Sequence, residues 1–157
     1  MSPEGTTVRS GVAAAHETVY NAGLTERRDV LGDEYVDAAL TRNAGTDGEA
    51  LQGYVSEFVW GGVWTREGLG RRDRSLVTVS LLIALGQHTE LATHVRAGLR
   101  NGLTRREISE AVLHATAYVG APAGLAAMRV VQATLVEQLG PLDAAESGTS
   151  SAEEATA

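Results

Sequence analysis

The run from Arg74 to Leu85, RSLVTVSLLIAL, constrains the fold most. Its β-branched residues suit a buried strand. The run is long for a strand, however, and no partner strands are evident elsewhere, so it reads as a buried helix closed by Gly86. The rest of the chain agrees. Residues 1–8 read as a loose start. Val12, Ala15, Val19 and Ala22 recur at helical spacing, predicting a helix over 12–31 with Gly32 as its stop. A short helix follows at 33–42, then the loop NAGTDG at 43–48. A further helix over 48–61 is expected to end at Gly61-Gly62, before the loop TREGLG at 65–70. Residues 88–100 are helical. Thr104 with Glu107 forms a capping-box pattern that opens a helix to Val119. Pro122 suits the first turn of a last helix that stops at Gly140-Pro141. The expected fold is all-α: one compact bundle of about six to seven helices over residues 1–142.

Residues 143–157, rich in Ala, Ser, Glu and Thr, read as a disordered acidic tail. Net charge is −7, which argues against a nucleic-acid partner. No signal peptide is visible and no apolar run reaches membrane-spanning length, so a soluble cytoplasmic protein with no membrane partner is expected. Cysteine is absent, which removes disulfides, thiolate metal sites and cysteine nucleophiles. Lysine is absent too, since all 13 basic residues are arginine, and a lysine Schiff base is therefore impossible. Alanine dominates the helices over 107–119 and 121–136, which are apolar on more than one face. Burial between subunits, and hence a homo-oligomer, is expected.

The chemistry-bearing residues cluster between Trp60 and Gly102. Glu90 lies four residues before His94, so a carboxylate and an imidazole share one helix face. They read either as a proton-transfer pair or as a solvated surface pair. A metal site using His88, Glu90 and His94 is disfavoured, because six residues put the two histidines on nearly opposite helix faces. Arg71, Arg72 and Arg74 stand where the helix dipole disfavours cations, so they serve either carboxylate partners or an anionic ligand. Trp60, Trp64 and Arg66 form W-G-x-x-W-x-R. They read as a packing anchor, or as a pocket wall with Arg66 as an anion ligand. Glu57 lies one turn before Trp60. His114 and Tyr118 share a face and read as a hydrogen-bonded core or interface pair. His16 has no constellation around it.

Four pieces, VLGDEYVDAAL (30–40), W-G-x-x-W-x-R (60–66), RRDRS with ELATH (71–94) and YVGAPAGLAAM (118–128), resemble the gamma-carboxymuconolactone decarboxylase family in order and spacing. The likeness covers roughly Val30 to Leu139. It implies an alkylhydroperoxidase D-like fold, a homo-oligomer (trimer or hexamer), no cofactor and no metal. The implied activity is decarboxylation of a small anionic lactone, 4-carboxymuconolactone, to beta-ketoadipate enol-lactone in aromatic catabolism. Within the resemblance His94 and Glu90 are the catalytic residues. Arg74 and Arg66 hold substrate carboxylate, and Trp60, Trp64, Leu125 and Met128 line the substrate site. With no lysine or cofactor, the electron sink belongs to the substrate.

The sequence departs from the family pattern at Glu67, where proline is usual, and at Leu125 and Met128, where asparagine and phenylalanine are usual. These departures point to an alternative: a related tailoring enzyme acting on a bulkier, polyketide-type substrate. The disulfide reductases of the same fold need a C-x-x-C pair before the histidine. Gln87 and Glu90 stand there instead, so that activity is excluded. A non-catalytic helical oligomer that binds a small acid is the remaining reading.

Overall fold

The computed structural model describes residues 3–142, with side chains from residue 9 onward. The acidic tail expected at 143–157 lies outside the described residues. Helices α1 (Pro3–Leu31), α2 (Asp33–Asn43), α3 (Glu49–Tyr54), α4 (Arg71–Leu85), α5 (His88–Arg100), α6 (Arg105–Val119) and α7 (Ala121–Leu139) account for the fold, and there is no strand among the described residues.

Arg74–Leu85 is helical, as its length and lack of strand partners predicted. Gly86 ends it with a left-handed backbone (φ 66°), and its N–H returns to the Ile83 carbonyl. The capping box at Thr104 is complete. The Thr104 hydroxyl accepts from the Glu107 N–H, and the Glu107 carboxylate accepts from the Thr104 N–H.

Two expectations are corrected. The first helix does not start near Val12. It begins at Pro3, so the loose start assigned to residues 1–8 is helical from its third residue. The helix after the 43–48 loop also does not stop at Gly61-Gly62. From Val55 to Trp64 it rewinds as a π-helix, and the Thr65 N–H still reaches five residues back to the Trp60 carbonyl.

The glycines there serve close packing instead. A Cβ on Gly61 would sit 2.4 Å from the Val19 carbonyl oxygen, and one on Gly23 would sit 2.0 Å from the Ser56 carbonyl oxygen. The π segment and α1 therefore meet backbone to backbone, which only glycine permits.

Two apolar clusters result. The larger joins α4, α5, α6 and α7 through Val79, Ile83, Leu91, Val95, Ile108, Val112, Val131 and Leu135. The smaller joins α1, the π segment and α5 through Val30, Trp60, Trp64 and Ala97. Helix α5 contributes to both, with Leu91 and Val95 on one side and Ala97 on the other. That places its intervening residue, His94, beside the tryptophan cluster. No helix among the described residues is long and apolar enough to cross a membrane.

Candidate active site

The tryptophan pair is built by the winding of the π segment. Ser56, Trp60 and Trp64 are its buried residues, four apart, which the wider turns keep close to one line. The two indoles lie 4.8 Å apart, and the Trp64 ring faces the His94 imidazole at 6.4 Å with 30° between planes. His94 is largely buried, and its Nδ1 has no hydrogen-bond partner. Burial pushes its pKa down to about 4, only partly opposed by the charge of Glu90. The imidazole is therefore neutral at pH 7, with one polar nitrogen held free in apolar surroundings.

Glu90 does not grip it. The carboxylate is exposed, and no hydrogen bond or ion pair joins the two side chains. The shared helix face brings charge to His94 without contact. His88, at the start of α5, is exposed. No group of three metal-ligating side chains occurs among the described residues.

The arginines divide by role. Arg71 grips Glu26 through Nε and Nη2 at 2.8 and 2.7 Å and reaches Asp29 at 2.7 Å, tying the start of α4 to α1. These carboxylates raise its already high pKa further. Arg72 pairs with Glu107. The bland reading, an ion-pair network, therefore holds for both. Arg74 donates to the carbonyls of Leu69 (3.1 Å) and Arg66 (2.7 Å), so its guanidinium pins the loop before its own helix. Arg66 is exposed on that loop.

Other expected residues fall elsewhere. Leu125 is exposed at the start of α7, and Met128 packs on the larger cluster rather than on the tryptophans. His16 is not isolated: its Nδ1 pairs with Glu57, and its ring meets Phe58 edge-on. This ties α1 to the π segment and gives Glu57 a partner outside the tryptophan cluster. His114 and Tyr118 do touch, at 5.1 Å between rings, but both are exposed rather than core. An open groove of about 500 Å³ between α4 and α6 is lined by residues including Arg72, Ser80, Glu110 and His114. It contains neither His94 nor either tryptophan.

Sequence reasoning passed over Arg27, which is only 5% exposed. It donates to Ser56 Oγ at 3.1 Å and Gln52 Oε1 at 2.9 Å, and its Nε has no partner. Burial lowers its pKa. Next to Arg28 in the sequence it reads as half of a surface basic pair. Only its helical phase with Gly23 and Val30 hints that it points inward.

The chain is a small all-α protein in which a largely buried imidazole with an unpartnered Nδ1 faces Trp64. Residues 49–133 match the carboxymuconolactone decarboxylase family, and the chain belongs to that family. It is 43% identical over 116 residues to 4-carboxymuconolactone decarboxylase of Acinetobacter baylyi, covering 74% of this chain and 86% of that one. It is 45% identical over 120 residues to nitrosuccinic acid decarboxylase of Metarhizium robertsii, covering 76% and 83%. An uncharacterised 15.0 kDa protein of Paracoccus denitrificans is 32% identical over 84 residues, covering 52% of this chain and 63% of that one. Both functionally named relatives are decarboxylases, which places this chain among carboxy-lyases.

Proposed function

We propose that the protein decarboxylates 4-carboxymuconolactone without a cofactor, yielding beta-ketoadipate enol-lactone. The observation that carries this reading is His94, a neutral imidazole whose Nδ1 has no partner and whose ring faces Trp64. The departing carboxylate is vinylogous to the lactone carbonyl. As its carbon–carbon bond breaks, the electron pair flows into the lactone as a dienolate and carbon dioxide leaves. One proton must then be delivered to carbon. Apolar surroundings destabilise a carboxylate more than the charge-dispersed dienolate and so favour this step.

Burial by itself keeps His94 unprotonated at neutral pH. An anionic substrate beside it raises its affinity for a proton, as any nearby negative charge does. Glu90 adds to that field from the surface. His94 thus takes up a proton from solvent when substrate is present and delivers it to the dienolate carbon. Of the arginines read as carboxylate ligands, Arg66 is exposed on the loop, while Arg74 holds that loop through the Arg66 carbonyl.

A second substrate has a specific observation behind it, the equally strong similarity to the nitrosuccinic acid enzyme. Nitrosuccinic acid is also a dicarboxylate with an internal electron sink. Its nitro group takes the electron pair as a nitronate, which again needs one proton at carbon. We place the enzyme in the cytoplasm as a homo-oligomer, trimer or hexamer. Exposed apolar residues such as Leu81, Leu113, Tyr118 and Leu125 support assembly.

Carbon dioxide release from each acid tests the reading. Release from the lactone, lost in His94→Ala, is expected. Release from nitrosuccinic acid alone transfers the assignment to the second substrate, and release from neither by folded protein removes both.

A further inference from the structure

Four arginines nearer the surface are ion-paired, and the buried one is not. Arg28 pairs with Asp37 and Asp33, Arg71 with Glu26 and Asp29, Arg72 with Glu107 and Arg96 with Glu137. Arg27 is the charged residue among the buried polar side chains, and its acceptors, Ser56 and Gln52, are both neutral. The titratable groups acting on it are Tyr35, Tyr20 and Arg28, none of them a carboxylate. A buried charge is ordinarily paired, because neutral hydrogen bonds do not replace a counter-charge in a low-dielectric setting.

Its position gives the missing charge a function. Among the described residues, the buried side-chain polar atoms without partners are Arg27 Nε and His94 Nδ1. Both lie against the same strip of the π segment. Arg27 donates to Ser56 at one end, and His94 faces Trp64 at the other, with Trp60 between. Val30, one turn after Arg27, packs in the cluster with both tryptophans, as does Ala97, one turn after His94.

We propose that Arg27 is the binding residue for the carboxylate that the substrate keeps, with Gln52 and Ser56 orienting its guanidinium. A carboxylate there supplies the absent counter-charge, accepts from Nε–H, and lays the body of a small dicarboxylate along the tryptophans toward His94. This rests on the dicarboxylate-decarboxylase reading and moves the anion-gripping role from Arg74, which pins a loop, to the buried arginine of α1.

Arg27→Gln and Arg27→Lys test it, with folding checked by circular dichroism and thermal unfolding. On the substrate that wild type decarboxylates, KM is expected to rise roughly 10- to 100-fold in Arg27→Gln, with a smaller change in kcat and partial recovery in Arg27→Lys. Succinate serves as an inert dicarboxylate probe. It should change Trp60 and Trp64 fluorescence in wild type and do so far more weakly in Arg27→Gln. Unchanged KM and unchanged succinate response in a folded variant overturn the proposal and leave Arg27 an internal pin. Should neither variant fold, the Arg27 Nε–H resonance of ¹⁵N-labelled wild type decides, since it must shift on succinate addition and a silent signal overturns the assignment. An Arg27-dependent succinate response in a protein that decarboxylates neither acid keeps the carboxylate site and removes only the decarboxylase reading.

Discussion

Burial around His94 costs its cation more than the charge of Glu90 returns, and that imbalance yields two predictions. The first concerns catalysis. His94→Ala should lower turnover by roughly two to four orders of magnitude while the fold persists, since alanine suits a helix interior. Glu90→Gln should cost much less, because Glu90 touches His94 only through its field. Steady-state rates on the true substrate check this, and comparable losses in the two variants would give Glu90 a direct proton-transfer role. The second concerns stability. The folded pKa of about 4 lies below the ordinary histidine value of 6.5, so the unfolded chain binds the proton first as pH falls. Stability is fully present above about pH 6.5 and declines toward pH 4, by on the order of 3 kcal/mol. Asp37 and Glu107 are depressed carboxylates, so they lose their contributions as pH falls through the lower, carboxylate range. Urea unfolding at pH 7 and pH 4.5 should therefore show a gap that narrows in His94→Leu. An equal gap in both proteins would show that His94 is not buried as described.

At the scale of elements, the junction of α1 with the π segment is the least forgiving contact. Gly23→Ala would press a methyl group into the Ser56 carbonyl, which is backbone and cannot swing away. The expected loss is about 1–3 kcal/mol or more, as for overpacking elsewhere. Gly11→Ala, on the same helix with nothing within 4 Å, should instead stabilise by about 0.5–1 kcal/mol. Thermal unfolding of the two variants gives opposite shifts if the helices touch as described, and a neutral Gly23→Ala would contradict the crossing. This junction was poorly legible in sequence. Gly61-Gly62 carries the signal of a helix stop, and nothing local says that α1 will press against it. The capping box at Thr104 and the stop at Gly86 were legible because their physics is confined to a few neighbouring residues.

The whole molecule leaves large apolar side chains uncovered on several helices, among them Leu85 (68% exposed), Leu113 (65%) and Tyr118 (79%). A single chain of 16.4 kDa that exposes so much of α4 and α6 is expected to assemble. Sedimentation velocity should show a trimer or hexamer, and Leu113→Glu should shift mass toward the monomer. A monomer at micromolar concentration would refute the assembly. The sequence by itself determined what depends on local pattern and composition. Helical periodicity and glycine stops set an all-α bundle, and the lack of lysine and cysteine removed whole classes of chemistry. The spacing of ELATH singled out His94. Tertiary structure alone decided which charges are compensated. Glu26 and Asp29 come from α1 to pair with Arg71, Arg74 is left to hydrogen-bond backbone carbonyls, and Arg27 is carried inside with no carboxylate beside it. The carboxylates that meet Arg71 lie more than forty residues away in the chain, and no local spacing encodes that they will meet it.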